Sequence, residues 1–316
     1  MRFVLVAALA WVCSGASIDD QDFNGRWDIT VNGPLPQRGW WLEVSGAGTD
    51  NFHGRFLGGP SGLEELPKLS ISESELRFAL DAKYRKDRGV EKGLYWARLE
   101  DGKLKGTFEI EGDPTTYLNW TGVRAPVLAE HDDGSWKFGD PVVLFNGRDL
   151  AGWQSTPGKP SGWVVKDGVL TALAGAQDLI SDRKFQNFVV DAEYRIDPRT
   201  NTGIGLRGRY EVQITDDADR PSSNRGTGAI LGRIAPTSNA ERPAGEWQML
   251  GIRLVGREVT VVLNGVRVIN RQAIDGPTTI AIDTNEAEPG PILLQGNRGT
   301  VEFRRIVIYP LTKQKP

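Results

Sequence analysis

The strongest constraint on the fold is a succession of short runs in which apolar and polar residues alternate. The first half contains runs such as "GRWDITV", "FHGRFLG" and "GLYWARLEDGKLKGTFEI", and the second half contains "NFVVDAEYRI" and "VTVVLNGVRV". The D-G pair at 101–102 and the N-G pair at 264–265 join neighbouring runs, as turns do in β-hairpins. No stretch has convincing helical periodicity over the roughly 11 residues that a helix assignment needs. The sequence therefore predicts an all-β protein.

The chain of 316 residues is long enough for one or two domains. Alternation stops at 125–141, "APVLAEHDDGSWKFGDP", where Pro, Gly and acidic residues accumulate as they do in linkers. We expect a small antiparallel β-barrel or β-sandwich over 20–125, a linker over 126–140, and a larger sandwich of two antiparallel sheets over 141–312. Five tryptophans of the first part form either a carbohydrate platform or a core: Trp27, Trp40, Trp41, Trp96 and Trp120.

The first 17 residues, "MRFVLVAALAWVCSGAS", have the layout of a secretory signal peptide, with Arg2, an apolar run and then small residues. We expect cleavage near Ala16 or Ser17 and a secreted or periplasmic protein. Cys13 makes a lipoprotein anchor the less favoured alternative, because residues 10–12 fit the required motif poorly. No later stretch approaches the roughly 20 apolar residues of a membrane helix.

Scarcity of cysteine and histidine limits the chemistry. Cys13 is the only cysteine, so a mature chain has no disulfide, thiolate metal ligand or cysteine nucleophile. His53 and His131 both precede residue 140, which excludes a Ser-His-Asp triad and an HExxH zinc site from the second part. The net charge of -3 gives no attraction to nucleic acid or anionic membranes, whereas ten Trp and 38 Gly suit a β-rich, sugar-facing protein.

A series of motifs between 144 and 308 resembles, in the same order, the 3-keto-disaccharide hydrolase family. They include "LFNGRDLAGW", "WVVKDGVL", "NTGIGLRGRYEVQITDD", "GTGAILG" and "NAERPAGEWQ". The resemblance implies a concanavalin- or laminin-G-like jelly-roll sandwich in a secreted bacterial protein, acting on glycosides whose sugar has been oxidised to a 3-ketone. It does not extend to residues 20–125. Where relatives often have "LQDHG", this chain has "LQGN" at 294–297, and it has "GAILG" where they often have "GAIYG".

A 3-ketone acidifies the hydrogen on C2, so a base can remove it, the C1 substituent leaves by elimination, and water then adds back. The resemblance points to Glu193 and Glu211 as base and acid, in either order, and to Arg207 as the clamp for the C3 oxyanion or the substrate. Alternation places these side chains and Gln213 on the polar faces of two strands, where they converge if the strands share one sheet. The alternative from spacing alone is an ordinary solvated face.

Other candidate residues flank these strands. Trp247 and Gln248 are candidates for sugar contact, with core packing the alternative for the tryptophan, and Gln295 is a weaker binding candidate. Asp216 and Asp217 could bind a divalent cation such as Ca²⁺ through oxygen ligands, although an ordinary turn role is the alternative.

The longest irregular stretch, 216–246, interrupts a run of strands. Loops longer than about 12–15 residues are usually functional or disordered. Apolar residues between 229 and 234 give this one something to pack with, so we expect it to fold over the sheet and wall a pocket.

Two functions fit the sequence. The first is a hydrolase of 3-keto-glycosides, with the first domain assisting binding or assembly. The alternative is a non-catalytic secreted carbohydrate-binding protein on the same fold, since a fold does not fix a function. A conventional glycosidase with two carboxylates is the third interpretation.

Overall fold

The computed structural model describes residues 18–32, 39–58, 62–82, 91–155, 158–296 and 298–313. The predicted signal peptide lies outside these residues. Apart from one 3₁₀ turn, Asp20–Phe23, the regular structure described is β-strand, which confirms the predicted fold class. Within the described ranges, no helix is long and apolar enough to cross a membrane.

Nine antiparallel strands form a single sheet in the first part of the chain, in the order β4-β3-β2-β1-β9-β8-β7-β6-β5. The sheet is rolled, because Phe56 on the third strand packs against Phe78 on the sixth with ring centroids 5.1 Å apart. The nine strands are β1 (Gly25–Asn32), β2 (Trp40–Ser45), β3 (His53–Leu57), β4 (Leu63–Glu65), β5 (Leu69–Ser72), β6 (Glu75–Ala82), β7 (Glu91–Glu100), β8 (Lys103–Ile110) and β9 (Asp113–Arg124). We call this rolled sheet the N-terminal sheet.

Tryptophans fill much of the interior of the N-terminal sheet. Trp27, Trp40 and Trp120 are buried in its hydrophobic core, so the core interpretation is confirmed for these three. Trp41 points elsewhere: it is fully buried but lies at the contact with the second part of the chain. Trp96 is half-buried. A carbohydrate platform made of all five is therefore wrong.

The second part is a sandwich of two antiparallel sheets, as the jelly-roll prediction required. The larger sheet has the order β13-β14-β23-β16-β19-β20-β21, with β10 and β11 also paired to β23, and the smaller has the order β12-β15-β22-β17-β18. Their strands are β10 (Trp136–Phe138), β11 (Val142–Val143), β12 (Trp153–Gln154), β13 (Trp163–Lys166), β14 (Val169–Ala172), β15 (Leu179–Phe185), β16 (Phe188–Ile196), β17 (Asn201–Leu206), β18 (Tyr210–Thr215), β19 (Gln248–Val255), β20 (Glu258–Leu263), β21 (Val266–Ala273), β22 (Gly290–Leu294) and β23 (Val301–Lys313).

Strand alternation decides which side chains enter the core between these sheets. On β16, Val190, Ala192 and Tyr194 are fully buried, and on β18 Val212 and Ile214 are buried opposite them in the same core. The polar residues between them must therefore point to the two outer faces of the sandwich. Since β16 and β18 belong to different sheets, their polar faces lie on opposite sides of the domain.

The segment expected to be a linker, 126–140, lies against the sandwich. It contains β10, which pairs with β23, and Asp132 accepts two hydrogen bonds from Arg253 at 2.6 and 2.8 Å. That the N-terminal sheet and the sandwich are separate domains stays a prediction.

The N-terminal sheet contacts the sandwich through the segment that follows β21. The Gly39 N–H donates to the Ala281 carbonyl at 3.1 Å, and Arg55 forms an ion pair with Asp275 at 2.8 Å. A Cβ on Gly276 would lie 2.8 Å from the Trp41 indole, so glycine is needed for this close approach. The contact brings β3 and β4 to the outer face of the smaller sheet.

Candidate substrate cavity

The outer face of the smaller sheet carries two buried polar side chains from one strand. Glu211 and Gln213 on β18 are 1% and 2% exposed, and they point away from the core that holds Val212. The Glu211 N–H donates to Thr278 Oγ1 at 2.8 Å, which fixes the backbone beneath the carboxylate. A Cβ on Gly203 would lie 2.7 Å from Glu211 Oε1, so this glycine makes room for the carboxylate.

The long loop 216–246 covers this face, as expected. It runs back along β18, because Gln213 N–H donates to Ala229 O at 2.9 Å and Leu231 N–H donates to Glu211 O at 3.0 Å. Leu231 and Arg233 then line a cavity. The prediction that the loop walls a pocket is confirmed.

The cavity has a volume of about 180 Å³. Drug-sized ligands occupy pockets of roughly 300–1,000 Å³, so this smaller space suits one sugar ring better than an extended oligosaccharide. Its lining from the sandwich is mainly polar and comes from Asn201, Glu211, Gln213, Arg225, Leu231, Gly232, Arg233, Thr278, Thr279, Gln295 and Arg298. Leu57, Gly62 and Leu63 of the N-terminal sheet complete it.

Two glutamines in the cavity present buried acceptors. Among the described residues, neither Gln213 Oε1 nor Gln295 Oε1 has a hydrogen-bond partner. Gln295 is held in place by its backbone, whose N–H donates to Gly203 O at 3.0 Å and whose carbonyl accepts from Thr202 Oγ1 at 2.7 Å. A buried acceptor without a partner costs about 1–3 kcal/mol, so such groups are usually explained by a ligand or water. The structure thus brings Glu211, Gln213 and Gln295 together.

Arg233 is the buried cation of the cavity, with its side chain only 1% exposed. Its Nε and Nη2 donate to Pro277 O at 3.2 and 2.6 Å, and its Nη1 donates to Asp275 at 2.9 Å. Burial lowers the pKa of Arg233, and the Asp275 carboxylate opposes that shift. Each Nη keeps one N–H beyond these bonds, so the guanidinium can still donate to a ligand.

Glu193 does not belong to this cavity. It lies on the outer face of the larger sheet, where its carboxylate forms an ion pair with Arg304 on β23. The condition for convergence, that β16 and β18 share a sheet, is not met, because β16 pairs with β19 and β23 while β18 pairs with β17. Glu193 and Glu211 therefore cannot act as an acid and base pair.

Arg207 is a structural residue. It lies in the turn between β17 and β18 with a φ of 52°. This backbone conformation interrupts the strand alternation from which the direction of the Arg207 side chain was predicted. Its fully buried guanidinium donates to the carbonyls of Gln186 at 2.8 Å, Gly256 at 2.7 Å and Glu286 at 3.3 Å. The role of substrate or oxyanion clamp is wrong for Arg207, because its donors are used to tie three loops together.

Trp247 and Gln248 also lie away from the cavity. The Trp247 ring packs beside Arg195 and Arg304, with guanidinium carbons 4.9 and 4.4 Å from its centroid, on the outer face of the larger sheet. Gln248 is fully buried and exchanges hydrogen bonds with the backbone of Arg242 at 3.0 and 2.7 Å. Neither residue can contact a ligand bound over β18.

Asp216 and Asp217 anchor the long loop. Asp216 accepts a hydrogen bond from the Arg199 N–H at 2.8 Å. The Asp217 side chain is hydrogen-bonded to Glu241, and burial together with this carboxylate raises the pKa of Glu241 to about 8. Among the described residues, no group of three or more His, Cys, Asp or Glu could hold a metal ion. The turn role, left open by the sequence, is the one that the contacts support.

Sequence reasoning missed the three arginines of the cavity. Arg225 and Arg233 lie in the long loop, whose length was the available signal, and Arg298 follows the altered "LQGN" segment. Nothing in the sequence indicated that Leu57 and Leu63 line the cavity, because this role depends on how the N-terminal sheet packs against the sandwich.

Comparison with known proteins gives a family for the second part. Residues 140–309 match the model of the family described as the 3-keto-alpha-glucoside-1,2-lyase-like domain. No curated protein matches the chain.

Three solved structures illustrate the similarity. The chain is 30% identical to a candidate glycosyl hydrolase from Parabacteroides distasonis, over 58% of this chain and 91% of that one, with a TM-score of 0.48. A second candidate glycosyl hydrolase from the same organism is 22% identical, over 54% and 94% of the two chains, with a TM-score of 0.46. A carbohydrate-binding module from Bacillus subtilis is 12% identical, over 50% and 95%, with a TM-score of 0.35.

Proposed function

Because the chain belongs to the 3-keto-α-glucoside-1,2-lyase-like family, we propose that its cavity cleaves glycosides whose sugar carries a ketone at C3. At the coarser level, the family is that of carbohydrate-active, glycosyl hydrolase-like proteins. The signal peptide predicted from the first 17 residues supports action outside the cytoplasm.

The observation that carries this proposal is the charge composition of the cavity. Glu211 is the one acidic residue among the described residues that line it, and three arginines lie around it. A conventional glycosidase needs two carboxyl groups roughly 5–10 Å apart on either side of the glycosidic bond. Elimination next to a ketone needs one base and a cation near the developing oxyanion. The cavity therefore supports elimination over two-carboxylate hydrolysis.

The first step is proton transfer from C2 to a carboxylate oxygen of Glu211. The C2–H electron pair forms an enolate whose charge resides on the C3 oxygen, and an N–H of Arg233 stabilises that charge. Return of the electron pair re-forms the C3 ketone, creates a C1=C2 double bond and breaks the bond from C1 to the leaving group. The leaving-group oxygen takes up a proton, which protonated Glu211 can supply.

Hydration completes the reaction. The C1=C2 double bond is conjugated with the ketone, so water adds its oxygen to C1 and a proton returns to C2. The products are the free 3-keto sugar and the protonated leaving group, and the net reaction consumes one water. Gln213 and Gln295 would accept hydrogen bonds from sugar hydroxyls, because both present buried Oε1 atoms to the cavity.

The alternative is a carbohydrate-binding protein without turnover. The observation in its favour is the removal of Glu193 and Arg207 from the site, which leaves the cavity with fewer catalytic groups than the sequence indicated. Sugar binding through Gln213 and Gln295 alone would not require a base.

One assay separates these functions. The purified protein is incubated with a 3-keto-disaccharide and with its unoxidised parent, and release of the monosaccharides is followed. We expect cleavage of the keto substrate only, with loss in Glu211→Gln and full activity in Glu193→Gln, the matched control on the opposite face. Binding without cleavage would favour the alternative, and cleavage of the parent would favour a conventional glycosidase.

A further inference from the structure

The cavity is built from both parts of the chain. Leu57 at the end of β3 and Leu63 at the start of β4 provide an apolar wall, with Gly62 beside them. Arg225 of the long loop faces this wall, because a Cβ on Gly62 would lie 3.4 Å from its Nη2 atom. Glu211, on β18 of the sandwich, lines the same cavity as the two leucines. A glycoside whose sugar lies over Glu211 can therefore place its leaving group against them.

Two arginines of the cavity have no carboxylate partner in the part of the chain that the structure describes. Arg225 and Arg298, which we call the mouth pair, are both exposed. Among the described residues, neither forms an ion pair or donates a side-chain hydrogen bond. They come from different loops, one after β18 and one after β22, and both line the same cavity.

Two buried arginines nearby are each paired with a carboxylate. Arg233 is neutralised by Asp275 at 2.9 Å, and Arg209 by Asp283 at 2.5 Å. Glu211 is the one negative charge facing the cavity from the described lining, so the mouth pair leaves an excess of positive charge there. A cavity of this kind favours an anionic ligand, and a guanidinium binds a carboxylate through two parallel hydrogen bonds.

We propose that the leaving group of the substrate carries a carboxylate on an apolar frame, with the carboxylate bound by the mouth pair and the frame packed on Leu57 and Leu63. The inference rests on the proposed cleavage, because it assigns the leaving-group side of the same cavity. It also gives the N-terminal sheet a function, since that sheet supplies both leucines.

The test compares two ligands that differ in one charge: the 3-keto-glucoside of 4-hydroxybenzoic acid and that of its methyl ester. Affinities are measured by calorimetry on Glu211→Gln, which keeps the shape of the side chain and prevents turnover. We expect the acid to bind about tenfold more tightly than the ester, as a charge-assisted hydrogen bond implies. Equal affinities, weaker binding of the acid, or no binding of either ligand would overturn the inference.

Substitution of the mouth pair locates the effect. In the same background, Arg225→Gln combined with Arg298→Gln should bring the two affinities to within about threefold of each other and leave that of the ester unchanged. Arg220→Gln, an exposed arginine of the same loop that does not line the cavity, is the matched control and should keep the preference. A preference for the acid that survives the double substitution would also overturn the inference.

Turnover by the unsubstituted protein separates this inference from the proposed function. Release of both phenols with equal kcat/KM would contradict the anion preference and leave the cleavage reaction standing. Release of neither, together with tighter binding of the acid, would contradict cleavage and leave the anion site standing.

Discussion

The indole ring of Trp41, on the N-terminal sheet, lies 4.5 Å from the guanidinium carbon of Arg233, the buried cation of the cavity. Arg55, on the neighbouring strand of the same sheet, lies 5.6 Å from the same ring and is paired with Asp275, which also binds Arg233. The N-terminal sheet therefore holds the cation that the proposed mechanism places at the C3 oxygen. Displacement of such a group by about 1 Å can cost on the order of 100-fold in rate.

Trp41→Ala should lower kcat/KM by at least about tenfold, mainly through kcat, because Arg233 loses the ring that packs against it. Trp41→Phe, which keeps an aromatic face, should restore most of the activity. Steady-state kinetics on both variants check this, with Trp96→Ala as the control on the same sheet. Equal losses in the Ala and Phe variants would contradict a positioning role.

Gln213→Leu should leave the free protein as stable as before or slightly more stable, because it removes a buried acceptor that has no partner. The same change should weaken binding of a 3-keto-glycoside by about tenfold, since a sugar hydroxyl loses its acceptor. Thermal unfolding with and without ligand measures both effects. A clear loss of stability in the free protein would show that the Gln213 amide has a structural role instead.

Gly203→Ala should reduce activity by about 100-fold, because the new methyl group would lie 2.7 Å from Glu211 Oε1 and displace the carboxylate. Gly251→Ala on β19 is the matched control, since its nearest heavy atom would be 3.8 Å away. Kinetics and melting temperatures of both variants distinguish displacement from general destabilisation. Retention of activity in Gly203→Ala would show that the position of the carboxylate is not critical.

Asp28 on β1 should make the contact between the two parts of the chain sensitive to pH. Burial, and then the nearby Glu286 carboxylate, raise the pKa of Asp28 to about 8, against the opposing effect of Arg257 and Arg209. Because the folded-state pKa is the higher one, the contribution of Asp28 to stability is greatest below about pH 4, falls by up to about 1.4 kcal/mol per pH unit as the pH rises, and levels off above about 8. Asp28→Asn should flatten this profile between pH 5 and 8 in thermal unfolding, and an unchanged slope would exclude Asp28 as its source.

The sequence was sufficient for the strands and for the residues whose direction depends on one strand alone. Alternation along β18 placed Glu211 and Gln213 on the face opposite Val212, and the structure keeps them there. It failed for Arg207, because a positive φ in the turn reverses the direction that alternation gives. It failed for Glu193, because strand order within a sheet depends on long-range pairing that no local pattern encodes.

The cavity residues that the sequence did not predict were missed for the same reason, because their positions depend on long-range packing. Gly62 and Arg225 are far apart in the chain but close in space, and the packing of two sheets decides this proximity. Loop length indicated that 216–246 had a role, but could not show which of its arginines would turn inward.

In the proposed mechanism, cleavage begins when Glu211 removes the C2 hydrogen. A comparison of kcat/KM for a 3-keto-disaccharide and for the same compound deuterated at C2 tests this step. We expect severalfold slower cleavage of the deuterated substrate and loss of cleavage in Glu211→Gln. Equal rates for the two substrates, together with cleavage of the unoxidised disaccharide, would contradict it.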